Sequence, residues 1–98
     1  MQVLAHTIRH LGDLHRHAGR LELAEGSYGE AWTLYRGEET THPCNLANAI
    51  RPLAILKERL RDVAEATRLW EEAKGLYTEG ALQEGLDECS DRLRELKA

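Results

Sequence analysis

Apolar residues recur at helical spacing through most of the chain. The apolar positions near the start are Leu4, Ile8, Leu11, Leu14 and Ala18. They are separated by three or four residues, which predicts a helix over about residues 1–18. The same reasoning predicts helices over about residues 21–36, 43–60, 62–78 and 83–97. The pattern therefore predicts an all-α chain of five helices.

Breakers and caps separate the predicted helices. Gly19 is expected to end the first helix, because glycine takes the left-handed conformation without steric cost. Thr40 or Thr41 is placed to cap the third helix. Pro52 lies inside that helix, where proline costs about 3 kcal/mol. We expect a kink there rather than a break, because the apolar period continues across it.

The segment from residue 19 to residue 35 returns as residues 61–77, an offset of 42 residues without a gap. Tyr28 corresponds to Trp70, and Tyr35 to Tyr77. The rings stand among alanines that also correspond, namely Ala24 with Ala66 and Ala31 with Ala73. Small residues let two helices approach while a ring fills the space between them, as in an antiparallel helical hairpin. Self-similarity of this length indicates a repeat architecture.

These positions resemble the tetratricopeptide repeat family. The matching residues are Leu11-Gly12, Ala24, Tyr28 and Ala31, then Leu53-Ala54, Ala66, Trp70 and Ala73. The long period, with His42-Pro43 opening the second unit, is similar to the kinesin-light-chain type of repeat. The chain departs from the family where His15 and Lys57 replace a usual tyrosine. Arg61 replaces a glycine between helices, and Pro52 stands where the longer repeats usually have asparagine.

The resemblance implies a right-handed α-α superhelix of two helical hairpins followed by a C-terminal capping helix. One domain would then cover residues 1–98. Repeat 1 would span about residues 2–36, a connector residues 37–42, repeat 2 about residues 43–79 and the capping helix about residues 82–97. Such arrays are generally not enzymes, and they bind a peptide or protein partner on the concave face that the first helix of each unit lines.

Composition narrows the class of function. A formal net charge of −4 argues against nucleic acid, which favours a basic surface. No apolar run is long enough for a signal peptide or a membrane span, so we expect a cytoplasmic protein without membrane contact. Cys44 and Cys89 lack metal-site spacing and are expected to be reduced thiols, with Cys89 in the core. Ser27 and Ser90 lie in no nucleophile motif, and there is no phosphate loop, so no catalysis or cofactor is expected.

The candidate binding residues lie on the first helix of each predicted unit. In the first unit they are His6, Arg9, Asp13, Arg16 and His17; in the second they are Asn48, Arg51, Ile55, Glu58 and Arg59. Arg9 and Arg51 correspond in the repeat and should lie side by side, with Asn48 between them. Such a group suits an acidic peptide or a terminal carboxylate. The alternative is a solvated helix face whose arginines pair with carboxylates of the same chain.

A metal site is a weaker alternative on the first helix. His6, His10, Asp13 and His17 are spaced by four, three and four residues and share one side. One straight helix cannot surround a metal ion with four ligands, so a site would need a second chain, and we expect none in this chain alone. His15 is expected to point toward the core and to be buried there with a hydrogen-bond partner.

Self-association is the other alternative. Two repeats are fewer than the three that a stable array usually needs, so the first helix should leave an apolar side uncovered. The candidate contacts are Leu4, Ile8 and Trp32. Trp32 has no counterpart in the second unit and is either an interface anchor or partly buried. The chain would then form a symmetric homodimer, or it would be part of a longer array.

Overall fold

A computed structural model describes residues 2–37 and 42–97 of the chain as five α-helices. They are α1 (Gln2–His17), α2 (Leu21–Arg36), α3 (Pro43–Arg59), α4 (Val63–Glu79) and α5 (Gln83–Lys97). These residues contain no strand, which confirms the all-α class, and each helix end lies within one residue of its expected place. Most of the predicted connector, residues 38–41, lies outside the described residues.

The helix pairs α1–α2 and α3–α4 are joined by the same left-handed turn. Gly19 ends α1 as expected, with φ of 79°, and the amide of Arg20 donates to the carbonyl of His15 at 2.9 Å. Arg61 holds the corresponding place after α3 with φ of 62°, and the equivalent backbone bond closes that turn. A residue with a Cβ atom is strained in this conformation by about 1–2 kcal/mol. The turn is therefore conserved between the pairs although its glycine is not.

The start of α3 differs from the expectation. The Nδ1 atom of His42 accepts a hydrogen bond from the amide of Cys44 at 3.1 Å, so His42 caps the helix. Thr40 and Thr41, which the sequence favoured, lie outside the described residues. The reason is that Pro43 is the first helical residue, which places the capping position immediately before it. Farther along, α3 continues through Pro52 without a break, as expected, and the kink stays a prediction.

The core consists of rings set among alanines. Tyr28, Tyr35, Trp70 and Tyr77 are buried, and so are the four alanines of the repeated pattern. The helices pack in chain order, with α1 against α2, α2 against α3, α3 against α4 and α4 against α5. Residues close in sequence therefore supply most of the packing, as in helical repeats. None of the described helices combines the length and the apolar character needed to cross a membrane.

Helix α1 turns its small residues, rather than its leucines, toward α2. Ala5 and Gly12 are buried, and a Cβ atom at Gly12 would lie only 2.7 Å from the ring of Tyr28. By contrast, Leu11 is 45% exposed and Leu14 is 66% exposed. The apolar stripe of the first helix is thus largely on a side that no other described helix covers.

Candidate functional site

The repeat of 42 residues extends to the hydrogen bonds of the buried rings. In the first pair of helices, the Tyr28 hydroxyl donates to Asp13 Oδ1 at 2.6 Å and accepts from Arg16 Nε at 3.0 Å. In the second pair, the Trp70 indole donates to Glu58 Oε2 at 2.6 Å. Arg16 and Glu58 are corresponding positions. In both pairs, the ring therefore crosses the hairpin and meets a charged side chain of the preceding helix.

A second ring repeats this arrangement. The Tyr35 hydroxyl is hydrogen-bonded to Nδ1 of His6, and the two rings meet edge to face at 5.2 Å between centroids. The Tyr77 hydroxyl donates to Asn48 Oδ1 at 2.7 Å. His6 and Asn48 also correspond. These contacts run from the end of one helix to the start of the other, so each pair is antiparallel.

Burial sets the protonation of these groups. It raises the pKa of Tyr28 and of Tyr77 to about 12, and the hydrogen bond to Asp13 contributes further at Tyr28. Both hydroxyls therefore stay protonated donors at neutral pH. Burial lowers the pKa of His6, and the neighbouring charges of Arg9 and His10 lower it further. A neutral His6 ring can then accept a hydrogen bond from the Tyr35 hydroxyl.

The expected neighbours meet in a cleft between α1 and α3. It holds about 230 Å³ and is lined by Arg9, Asp13, Arg16, Asn48, Arg51 and Pro52. We call this group the arginine cleft. Arg9 and Arg51 thus line the same space, as the sequence predicted. His17 is exposed and lies outside this cleft.

The two corresponding arginines differ in their partners. Arg51 donates from Nε and Nη2 to the two carboxylate oxygens of Glu88 on α5, at 2.5 and 2.9 Å. This hydrogen-bonded carboxylate raises the pKa of the Arg51 guanidinium. The Arg9 guanidinium makes no hydrogen bond or ion pair with any residue in 2–37 or 42–97. Within the cleft, Arg16 is itself 3.6 Å from Asp13.

A second cleft lies between α3 and α5. It holds about 370 Å³ and is lined by Ile55, Glu58, Arg59, Trp70, Glu88 and Arg92. Arg92 of α5 is ion-paired with Glu58, and this pair raises the pKa of Arg92. The predicted position Ile55 therefore lies apart from the arginine cleft. The predicted binding face is divided in two by the charged side chains of α5.

Sequence reasoning missed Glu88 and Arg92. It named no residue of α5 among the candidate binding residues, whereas these two side chains reach across to α3. The sequence did contain a signal for these ion pairs. Glu88 and Arg92 are four residues apart, and their charges are opposite to those of Arg51 and Glu58, respectively. The capping helix therefore contributes to the candidate site as well as covering α4.

The residues of the metal hypothesis serve other contacts. His6 is bonded to Tyr35, and Asp13 to Tyr28. His10 is 3.9 Å from Asp13 but 69% exposed. The described part of the chain gathers no group of three or more histidine, cysteine, aspartate or glutamate side chains that could hold a metal ion. The spacing along α1 therefore does not bring the candidate ligands together.

Several other predicted positions take definite places. His15 was expected in the core; it is half-buried instead, because it lies beside the turn that joins α1 to α2, and its Nδ1 accepts from Arg20 of that turn at 3.3 Å. Cys89 is buried as expected, and burial raises its pKa to about 11. Trp32 is half-buried between two core clusters, with the Arg36 guanidinium 5.3 Å from its ring.

The residues predicted for self-association differ in burial. Ile8 is half-buried against the cluster that contains Tyr35, whereas Leu4 is 45% exposed.

Comparisons of the chain with known protein families, curated proteins and solved structures found no match.

Proposed function

We propose that this chain is a non-catalytic interaction module that binds an acidic segment of a partner protein in the arginine cleft. We also propose that its two helical hairpins and α5 form a right-handed superhelix of the tetratricopeptide type. Support for the second proposal comes from corresponding residues making corresponding bonds: the Tyr35–His6 and Tyr77–Asn48 pairs are related by the same 42 residues as the sequence.

The observation that carries the binding proposal is the guanidinium of Arg9, which has no hydrogen-bond or ion-pair partner among the described residues. It lines a cleft beside Arg16 and Arg51, while Asp13 is the single carboxylate of that lining. A bidentate hydrogen bond from arginine to a carboxylate is roughly twice as strong as a neutral one and fixes its geometry. An acidic side chain or a chain-terminal carboxylate is therefore the ligand group that best satisfies this cleft.

The position of Glu88 limits where the partner's charge binds. Because Glu88 already occupies both donors on one edge of Arg51, the corresponding site of the second hairpin holds a carboxylate of the chain itself. Asn48 also lines this cleft; its Oδ1 accepts from Tyr77, and its amide group has N–H donors in addition. Arg9 is therefore expected to contribute more to binding than Arg51.

A display selection with random peptides tests this proposal. The wild-type chain should enrich peptides that carry an acidic residue or a free terminal carboxylate. Arg9→Gln should weaken the binding of the enriched peptides about tenfold or more, since hydrogen bonds to charged groups contribute about 1.5–3 kcal/mol. Arg51→Gln is the matched control and should have the smaller effect.

Each variant is compared with the wild type by circular dichroism and thermal unfolding, so that loss of binding is separated from loss of fold. Enrichment without acidic residues, or equal binding by the wild type and Arg9→Gln, would contradict the proposal.

A further inference from the structure

Four of the eight exposed large apolar side chains of the described residues lie on α1. Val3 is 81% exposed, Leu14 66%, and Leu4 and Leu11 45% each. We call these four residues the α1 apolar face. Their spacing of one, seven and three residues places them on one side of a single helix. Contiguous exposed apolar surface on a protein of this size marks an interaction site.

The repeat shows what covers the corresponding face of α3. Leu4, Leu11 and Leu14 correspond to Leu46, Leu53 and Leu56. Leu56 is fully buried, and Leu46 and Leu53 are partly buried against the core. The cover is α2. Leu53 and Leu56 belong to the cluster that includes Leu21, Ala24 and Tyr28 of α2, whereas Leu46 belongs to the cluster that includes Ala31, Trp32 and Leu34 of α2.

We propose that the α1 apolar face is a docking site for an amphipathic helix whose sequence pattern is that of α2. The docking helix would present a leucine, an alanine three residues later, an aromatic four residues after that, and a second alanine three residues further. This pattern is the one that Leu21, Ala24, Tyr28 and Ala31 offer to the corresponding surface of α3. The proposal is independent of the arginine cleft, which lies on another side of α1.

Charge narrows the partner further. Lys57 on α3 forms an ion pair with Glu25 of α2 at 3.2 Å. His15 is the position of α1 that corresponds to Lys57, and its Nδ1 accepts a hydrogen bond from Arg20 beside it. The docking helix is therefore expected to carry a glutamate immediately after its first alanine, facing this basic end of α1.

A second copy of the chain fits this face less well than a foreign helix does. The alanine and aromatic faces of α2 and α4 are already buried, because their rings and alanines are the core. A second copy can therefore offer no unused face of the α2 type from its described residues. Its own α1 apolar face has leucines and a valine but no ring, and its other exposed large apolar side chains are aliphatic as well, namely Leu23, Leu60, Val63 and Leu82.

The test adds the missing type of helix to the whole chain. Residues 19–42 are duplicated ahead of residue 1, so that a copy of α2 and the natural connector precede α1. In the matched control, the copied helix alone carries Ala24→Glu and Tyr28→Glu. The connection keeps the effective concentration of the added helix high, so weak docking is detectable.

We expect the added helix to raise the midpoint of thermal unfolding by about 5 °C or more over the control, as for about 1 kcal/mol in a domain of this size. We also expect the methyl resonances of Leu11 and Leu14 to shift relative to the control. Equal midpoints or unshifted methyl resonances would overturn the proposal.

Sedimentation equilibrium of the natural chain and of Leu11→Glu completes the test. A monomer in both supports a foreign helix as the occupant. A dimer that dissociates in Leu11→Glu would show that a second copy covers the face, and it would overturn the assignment.

Discussion

Arg9 in the first hairpin and Arg51 in the second hold corresponding positions, yet only Arg51 has an ion-pair partner among the described residues. The same contrast holds for the leucines. Leu14 of α1 is 66% exposed, whereas the corresponding Leu56 of α3 is fully buried. Inside the hairpins the differences vanish, since both bury two rings and hydrogen-bond both to the preceding helix.

This contrast shows that a repeated pattern specifies the inside of a unit but not its surroundings. The second hairpin lies between α2 and α5. Helix α2 covers the leucines of α3, and α5 supplies ion-pair partners for its charged side chains. In the first hairpin, no other described helix covers the corresponding leucines of α1, and Arg9 has no ion-pair partner among the described residues. Both proposals above concern this hairpin.

The largest expected effect tests the core of the second hairpin. Trp70→Ala should reduce the free energy of unfolding by about 3–5 kcal/mol, because Trp70 is fully buried and its removal leaves a cavity. Small domains have about 5–15 kcal/mol in total, so this variant should be largely or partly unfolded. Trp32→Ala is the control and should cost about 1–2 kcal/mol, since Trp32 is half-buried. Urea unfolding measures both, and equal losses would contradict the described packing.

An intermediate effect compares the two left-handed turns. Gly19→Ala should lower the free energy of unfolding by about 1 kcal/mol, because alanine is strained at φ of 79°. Arg61→Gly should instead raise it by up to about 1 kcal/mol, since relief of strain exceeds the added flexibility of the unfolded chain. Thermal unfolding with opposite shifts for the two variants is the expected outcome, and shifts of the same sign would show that the turns are not equivalent.

The smallest effect concerns pH and the first hairpin alone. Because the folded state lowers the pKa of His6, the unfolded chain takes up a proton first as the pH falls below about 6.5. Stability should therefore be greater at pH 7.5 than at pH 5.5. His6→Asn copies the arrangement of Asn48 with Tyr77 and should reduce this dependence. Urea unfolding at both pH values measures it, and an unchanged dependence in His6→Asn would remove His6 as the source.

Most of the helix bounds follow from the sequence, because apolar spacing and local breakers act within a few residues. The end of α1 at Gly19 and the caps at the starts of helices also depend on the backbone geometry of a few neighbouring residues. The capping role of His42 was missed because several capping residues precede α3, and the choice among them depends on where Pro43 begins the helix.

The candidate site was only half predictable. The repeat brings Arg9 and Arg51 to one cleft, since corresponding residues of stacked units lie side by side. It carries no information on Glu88 and Arg92, because α5 is not a copy of either preceding helix. Their ion pairs depend on the direction in which α5 leaves α4, which is set by the turn at Ala81 with its φ of 59°. That direction follows from tertiary packing rather than from spacing.

The hydrogen bonds of the buried rings link the fluorescence of the core to the protein surface. Every fully buried ring carries a polar tip, and the chain has no phenylalanine at all. The tip of Trp70 ends at Glu58, a residue that also lines the second cleft. A molecule that draws Glu58 away would change the surroundings of the indole nitrogen. The intrinsic fluorescence of the core is therefore coupled by one hydrogen bond to events at the protein exterior, without any added label.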